Sequence, residues 1–371
     1  MPEGSEKNNA EGHPVELNRL LCEIGPADRS AMRKAALRQK TLTKPPGSLG
    51  RLEEVAGRLA GILGVERPVI RGKAVLIAGG DHGVVAQGVS GYPQEVTRQM
   101  LLNILEGGAA ISVLTRLGGV RRLVVDAGIA GRQLPDHAEL RSLRIRPGTD
   151  DITRGPAMST DEAVRCVEAG ADLAIELANS KVDLIATGEM GIGNTTPSSA
   201  ITSAITGCGP VETTGPGTGR TPSELHHKVS MVKKALDRNR PDPSDPIDVL
   251  AKVGGLEIGV LAGVVLGATR MRRAVVLDGF ISGAAALIAQ GLSPDSGDYM
   301  IASHLSAEPG HRLVLDRLGL DPLLDLRLRL GEGTGAVPAM GIVEAAARCL
   351  TEMATFQEAG VLEGTEKQTG E

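Results

Sequence analysis

The chain has 371 residues, with 40 basic and 45 acidic side chains and a formal net charge of −5; its basic residues are dispersed, which argues against nucleic acid as a partner. That length suits one large α/β domain with a smaller satellite, or two domains. Four cysteines, Cys22, Cys166, Cys208 and Cys349, lie far apart without a Cys-x-x-Cys pair, and the start shows no basic segment followed by an apolar one, so the expectation is a reduced, cytoplasmic enzyme without a membrane span.

Tryptophan is absent and there are only two Tyr and two Phe, so the core must be aliphatic. Residues 1–13 and 361–371 are polar and expected to be disordered tails. Leu17, Leu20, Leu21 and Ile24 share one face of a first helix, and a second is expected over 29–38. A third follows Lys44-Pro45-Pro46-Gly47-Ser48, with Ser48 as its cap and Leu49, Leu52, Val55, Ala56 and Leu59 spaced for burial.

From Lys73 onward, short aliphatic runs alternate with helical patterns, the sequence form of βαβ units around a parallel sheet. Strands are expected over 74–78, 123–125, 182–186, 274–277 and 299–303. Each leads into a turn with Gly, Asp or His, which puts Asp81, His82, Asp126, Glu189, Asp278 and His304 near the carboxyl ends of strands, where open α/β sheets hold ligands. Residues 241–246 read as a loop. A long amphipathic helix over 337–358 closes the pattern and is expected to pack on the amino-terminal helices.

The segment Gly331-Glu332-Gly333-Thr334-Gly335 isolates one carboxylate among glycines, a setting that lets a ligand approach closely and marks Glu332 as a base. Gly191-Ile192-Gly193-Asn194-Thr195-Thr196 follows a strand and opens a helix, the arrangement that offers backbone N–H groups to a phosphate. Gly215-Pro216-Gly217-Thr218-Gly219, with Lys228 on the next helix, offers a second cradle. No Gly-x-x-x-x-Gly-Lys-[Ser/Thr] motif occurs, which argues against a P-loop enzyme.

Plainer readings stand beside these. His304, Glu308 and His311 are metal-ligand types, but their spacing does not match the helical zinc motif and Pro309-Gly310 interrupts any helix that would align them; Ser306 and His311 fit better as polar ligands for a sugar or phosphate. Asp81-His82-Gly83 either binds something, or Asp81 holds His82 and caps a turn. Tyr92 reads as a core aromatic at a helix start, and Phe280 as core or as the wall of a flat pocket.

Motifs 43–53, 81–84, 188–196, 277–280 and 331–335, in this order, resemble those of the nicotinate-nucleotide:dimethylbenzimidazole phosphoribosyltransferase family, over roughly residues 42–346. The resemblance implies a three-layer, parallel-sheet, Rossmann-like large domain (71–335) carrying the active site, with a small helical domain built from 14–70 and 336–360. It implies a homodimer with no cofactor and no metal. Its reaction would move the 5-phosphoribosyl group from nicotinate mononucleotide to 5,6-dimethylbenzimidazole, giving alpha-ribazole 5′-phosphate and nicotinate, in cobalamin lower-ligand synthesis. Glu332 would be the general base and Glu189 would lie near the reacting centre. Gly191, Gly193, Asn194, Thr195, Lys228 and Ser306 would contact the phosphoribosyl part and Asp278 the ribose, while Ser90, Tyr92 and Gln99 would line the base pocket. Arg38-Gln39-Lys40 departs from the family pattern, which more often has leucine-aspartate there. Two further readings of the same motifs are a nucleotide-sensing module without catalysis and a metal-dependent phosphohydrolase using His304, Glu308 and His311.

Overall fold

A computed structural model describes residues 16–217 and 221–362; most of both expected tails, together with Thr218 and Gly219 of the second cradle, lies outside the described residues. Six strands form one sheet: β1 (Lys73–Gly80), β2 (Arg121–Gly128), β3 (Leu140–Ser142), β4 (Leu184–Met190), β5 (Ala274–Leu277) and β6 (Met300–Ala302). All neighbours pair in parallel, in the order β3-β2-β1-β4-β5-β6. That is the Rossmann-like α/β arrangement, and its strand order reverses between β1 and β4, which opens a crevice at their carboxyl ends.

Alternation along β1 divides the core. Ala74, Leu76 and Ala78 face one helical layer, while Val75 and Ile77 face the other. On the first face, helices Thr160–Asn179 and Leu256–Arg270 cross closely because glycines remove the side chains between them: a Cβ on Gly170 would strike the Val260 carbonyl, and one on Gly263 the Val167 carbonyl. The second face carries helices Arg29–Thr41, Arg51–Leu63 and Ala336–Glu352. The first amino-terminal helix, Leu17–Cys22, joins the opposite face instead, with Leu17 and Leu20 packed among residues of the crossing pair.

Several local expectations are corrected. The third helix begins at Arg51 behind Gly50 (φ +51°), not at Ser48, because the Glu53 carboxylate reaches back to the Leu49 N–H (3.0 Å) and the Lys44 ammonium (2.7 Å) and holds the preceding turn off the helix. The last helix stops at Glu352 rather than continuing to 358; Met353 is extended, and a second, Thr355-capped turn spans Phe356–Ala359. Its stop comes from Arg38: the buried guanidinium donates to the carbonyls of Leu350 (2.7 Å), Thr351 and Met353 (3.1 Å).

Strand β4 starts two residues later than expected and runs on through Gly188 and Glu189, since its pairing with β1 extends to Gly79 and Met190. The short edge strand β3 was not expected, its Leu-Arg-Ser sequence carrying no periodic signal. One 24-residue stretch, Glu95–Gly118, is apolar and long enough to cross a membrane, a feature not anticipated. It forms two helices, Glu95–Leu105 and Ala110–Gly118, separated by Gly107 and Gly108, with Leu101, Ile104 and Ile111 buried against the sheet.

Replacing Gly263 by leucine must push two helical backbones apart. The expected outcome is a loss of at least about 2–3 kcal/mol in urea unfolding, at the upper end for overpacked cores; a variant as stable as the parent contradicts the close crossing.

Candidate active site

The switch-point crevice opens into a cavity of ≈ 340 Å³, within the range of small-molecule sites. Its floor comes from β4, whose last residues carry Glu189 and Met190 into the turn Gly191–Asn194 and the helix Thr195–Thr206. Gly193 has φ +89°, a conformation open to glycine, and a Cβ on Gly191 would meet the Gly80 carbonyl. Asn194 turns its side chain away from helix capping to donate to Glu189 Oε2.

Opposite lies the turn Gly331-Glu332-Gly333, with φ of +83°, +63° and +90°. The Glu332 N–H donates to the Glu189 carbonyl (3.2 Å), and Gly188 packs so closely that a Cβ there would meet the Glu332 backbone. Asp278 fixes the far side: Oδ2 accepts from the Gly333 N–H (3.1 Å), and Oδ1 from those of Gly335 (2.8 Å) and Ala336 (3.0 Å) at the start of the last long helix.

The carboxyl groups are crowded and dry. Burial, then Asp278 and Glu257, push Glu189 up to about 8, against the pull of Asn194. Asp278 is raised to about 7 by burial and the nearby Glu332, although three N–H donors favour its ionised form. Burial also raises Glu332. Its Oε2 is buried without a hydrogen-bond partner, as expected for a group kept available to a proton.

Lys228 is 1% exposed and reaches into the same cavity, where its ammonium donates to Thr195 Oγ1 (2.8 Å) and the Gly215 carbonyl (3.0 Å). A buried cation beside a helix N-terminus is suited to an anion. Gly217, Ser306 and Glu308 complete this end, with Glu308 Oε1 accepting the Gly217 N–H (2.9 Å).

Ten of the twelve site residues implied by the family resemblance therefore line one cavity: Glu189, Glu332, Ser90, Tyr92, Gly191, Gly193, Asn194, Thr195, Lys228 and Ser306. Two do not. Gln99 is exposed and outside the lining, because its helix instead turns Val96 and Met100 inward. Asp278 lies behind the wall, spent on the backbone of the Glu332 turn.

His311 is likewise displaced from the role of ligand: its Nδ1 accepts the Ser306 N–H (2.9 Å), and burial lowers its pKa to about 3, so it orients Ser306 as a neutral ring. Asp81 caps a turn through the Ala130 N–H (2.8 Å), while His82 is held by Glu257 (2.7 Å) and not by Asp81. Tyr92 is half exposed at the cavity mouth rather than in the core, whereas Phe280 is both buried and a wall.

The apolar lining from Val89, Val96, Met100 and Ile192, and the Arg329 that donates to the Gly217 carbonyl (3.3 Å), were not foreseen. The i, i+4 pair Val96 and Met100 just after Tyr92 was the available signal; Arg329 carries none beyond its place before the Glu332 turn.

A family model described as Phosphoribosyltransferase matches residues 24–361. The chain is 53% identical over 349 residues to the nicotinate-nucleotide–dimethylbenzimidazole phosphoribosyltransferase of Desulforamulus reducens, covering 94% of this chain and 99% of that one. With the enzyme of the same name from Chloroflexus aggregans it shares 55% identity over 350 residues, 94% and 99% of the two chains. Its structure is similar to the crystal structure of CobT from Thermus thermophilus, with TM-score 0.87 and 48% identity, over 90% of this chain and all of that one. The chain belongs to the nicotinate-nucleotide–dimethylbenzimidazole phosphoribosyltransferase family.

Proposed function

We infer that this chain transfers the 5-phosphoribosyl group of nicotinate mononucleotide to 5,6-dimethylbenzimidazole, releasing nicotinate and forming alpha-ribazole 5′-phosphate for the cobalamin lower ligand. The observation that carries the reading is the juxtaposition, in one cavity, of a buried carboxyl on a glycine turn with a buried lysine at a helix N-terminus. In the nucleotide the leaving ring is a cationic pyridinium. Cleavage of its bond to C1′ neutralises it, so nicotinate departs without an acid.

The incoming benzimidazole attacks C1′ through one ring nitrogen and gains the positive charge. Glu332 removes the proton from the other nitrogen, and the ring becomes neutral product. Lys228 and the N–H groups of the 191–195 turn hold the phosphate, while Ser306 supports the same end. This anchors C1′ between the two rings and turns an encounter of two molecules into a positioned displacement. Val89, Val96, Met100, Ile192 and Phe280 offer flat apolar contact to the heterocycle, with Ser90 and Tyr92 at its rim. Asp278 acts through the Glu332 turn rather than on the ribose.

The proposal includes a cytoplasmic homodimer, each copy having a small helical domain from 14–70 and 336–360 beside a large 71–335 domain. A metal phosphohydrolase is not favoured, because His311 does not line the cavity and its Nδ1 is taken by the Ser306 N–H.

Substituting Glu332 by glutamine is expected to leave nicotinate mononucleotide binding intact while lowering nicotinate release at least ~10²-fold, the usual scale for a general base. Near-normal turnover removes Glu332 from that role. Because burial raises its pKa, the base form is lost as pH falls through a value above the ordinary ~4.3 of glutamate. The acid limb of kcat/KM should accordingly lie above that pH; activity undiminished down to about pH 4.5 speaks against it.

Glu189 has a stability signature of its own. An unfolded glutamate ionises near ~4.3, whereas the folded carboxyl keeps its proton to about 8, so rising pH between those values favours the unfolded chain. Glu189→Gln abolishes that slope. Relative to the parent it should gain roughly 3–4 kcal/mol in denaturant unfolding between pH 5 and pH 8, and an equal difference at both pH values refutes a proton-holding carboxyl.

A further inference from the structure

His304 lines the cavity between Ser306 and the Glu332 turn, yet the mechanism above gives it no part. Its ring is 3% exposed and its orientation is tightly set: the Cα of Gly335 is so close to Nδ1 that no side chain fits there. The hydrogen bonds around Nδ1 define the tautomer. Ser303 has one hydroxyl proton, and it is donated to the Asp278 carbonyl (3.0 Å). Ser303 Oγ, 2.9 Å from His304 Nδ1, must then accept, so the ring proton sits on Nδ1. Asp278 Oδ1, 4.0 Å from the same nitrogen, favours that placement too.

Burial lowers the pKa of His304, so the ring is neutral near pH 7. A neutral ring protonated on Nδ1 has a bare lone pair on Nε2. This nitrogen is not among the sealed, unpartnered polar atoms of the described residues, and no side chain or backbone group of those residues hydrogen-bonds to it. It lies on the side of Gly279 and Ser306, both cavity-lining: a Cβ on Gly279 would stand 3.7 Å from Nε2 and 3.8 Å from the Ser306 Cβ.

We propose that His304 Nε2 is a sugar-reading acceptor, taking a hydrogen bond from a ribose hydroxyl of the bound mononucleotide and so selecting ribosyl over deoxyribosyl donors. The proposal rests on the phosphoribosyl reading of the cavity. Its chemistry follows from position. An acceptor repels phosphate oxygens and the nicotinate carboxylate, which leaves the sugar hydroxyls as the donors the ligand can offer between the phosphate end and the base end. Asp278 thereby serves two neighbours, since its carboxylate holds the Glu332 turn and its carbonyl sets the His304 tautomer through Ser303.

The test is equilibrium binding of nicotinate mononucleotide and of its 2′-deoxy and 3′-deoxy analogues, by calorimetry, to the full chain. The unaltered protein should bind one analogue roughly 3- to 10-fold more weakly than the ribonucleotide, the scale of one neutral hydrogen bond. In His304→Phe, which keeps the ring volume and lacks the acceptor, that ratio should fall to about one; Ser303→Ala, which frees the tautomer, should reduce it partway. Equal binding of all three nucleotides by the unaltered protein overturns the proposal, and needs no variant. So does a His304→Phe chain that weakens all three alike with the ratio intact, which is the mark of a purely structural ring. An unaltered protein that discriminates between the nucleotides but releases no nicotinate when given dimethylbenzimidazole contradicts the phosphoribosyl transfer reading while supporting the ribose contact.

Discussion

Asp278 is the constraint on which the site depends. It stands at the end of β5, one residue beyond the last paired position, and its carboxylate gathers the N–H groups of Gly333, Gly335 and Ala336. Those donors belong to a turn and to the first turn of a helix, where N–H groups have no partner of their own. One buried side chain therefore joins the central sheet, the last long helix and the turn bearing Glu332. A carboxylate is suited to this because it accepts on both oxygens, with strength that neutral acceptors do not match. Glu189 is raised first by its own burial, and the charge that grips the turn adds to this by disfavouring a second charge there.

The site thus concentrates acids with little to neutralise them. Glu189, Asp278 and Glu332 are each raised by burial, and Glu257 adds a carboxylate from behind, balanced by His82, whose pKa it raises. Such a cluster is unfavourable for an anion and favourable for a ligand whose cationic part lies next to it. In the proposed reading the nucleotide meets both demands, its phosphate held by Lys228 and its pyridinium set near the acids. As the bond to C1′ breaks, positive charge passes from the pyridinium to the sugar and then to the attacking ring.

Much of this was legible from residues. Five of the six strands, the glycine turns and the isolated Glu332 carry strong local signals, because buried parallel strands are aliphatic on both faces and turns with positive φ favour glycine. What stayed hidden depends on partners far along the chain. Arg38 reads as a surface charge on a helix until its partners, more than 300 residues away, are placed around it. Asp278 and Glu332 are equally conspicuous in sequence, yet only the fold shows that one faces the cavity and the other holds it in shape. Gln99 illustrates the complementary case, since a polar residue beside Met100 says nothing about which of the two a helix turns inward, and here it is Met100 that lines the cavity.

The backbone at Glu332 explains why the acid is flanked by glycines. Three successive residues adopt positive φ, and the middle one is a glutamate, a conformation that is strained for any residue with a Cβ. Glycine at 332 would relieve the strain and remove the chemistry. Holding the acid there requires every neighbour to be fixed: its own N–H by the Glu189 carbonyl, the next by Asp278, and Gly188 packed against its backbone with no room for a methyl. The strain and the restraints are two sides of one arrangement, because the base proposed at Glu332 gains from a backbone with a single permitted position when it meets a ring nitrogen at hydrogen-bond distance.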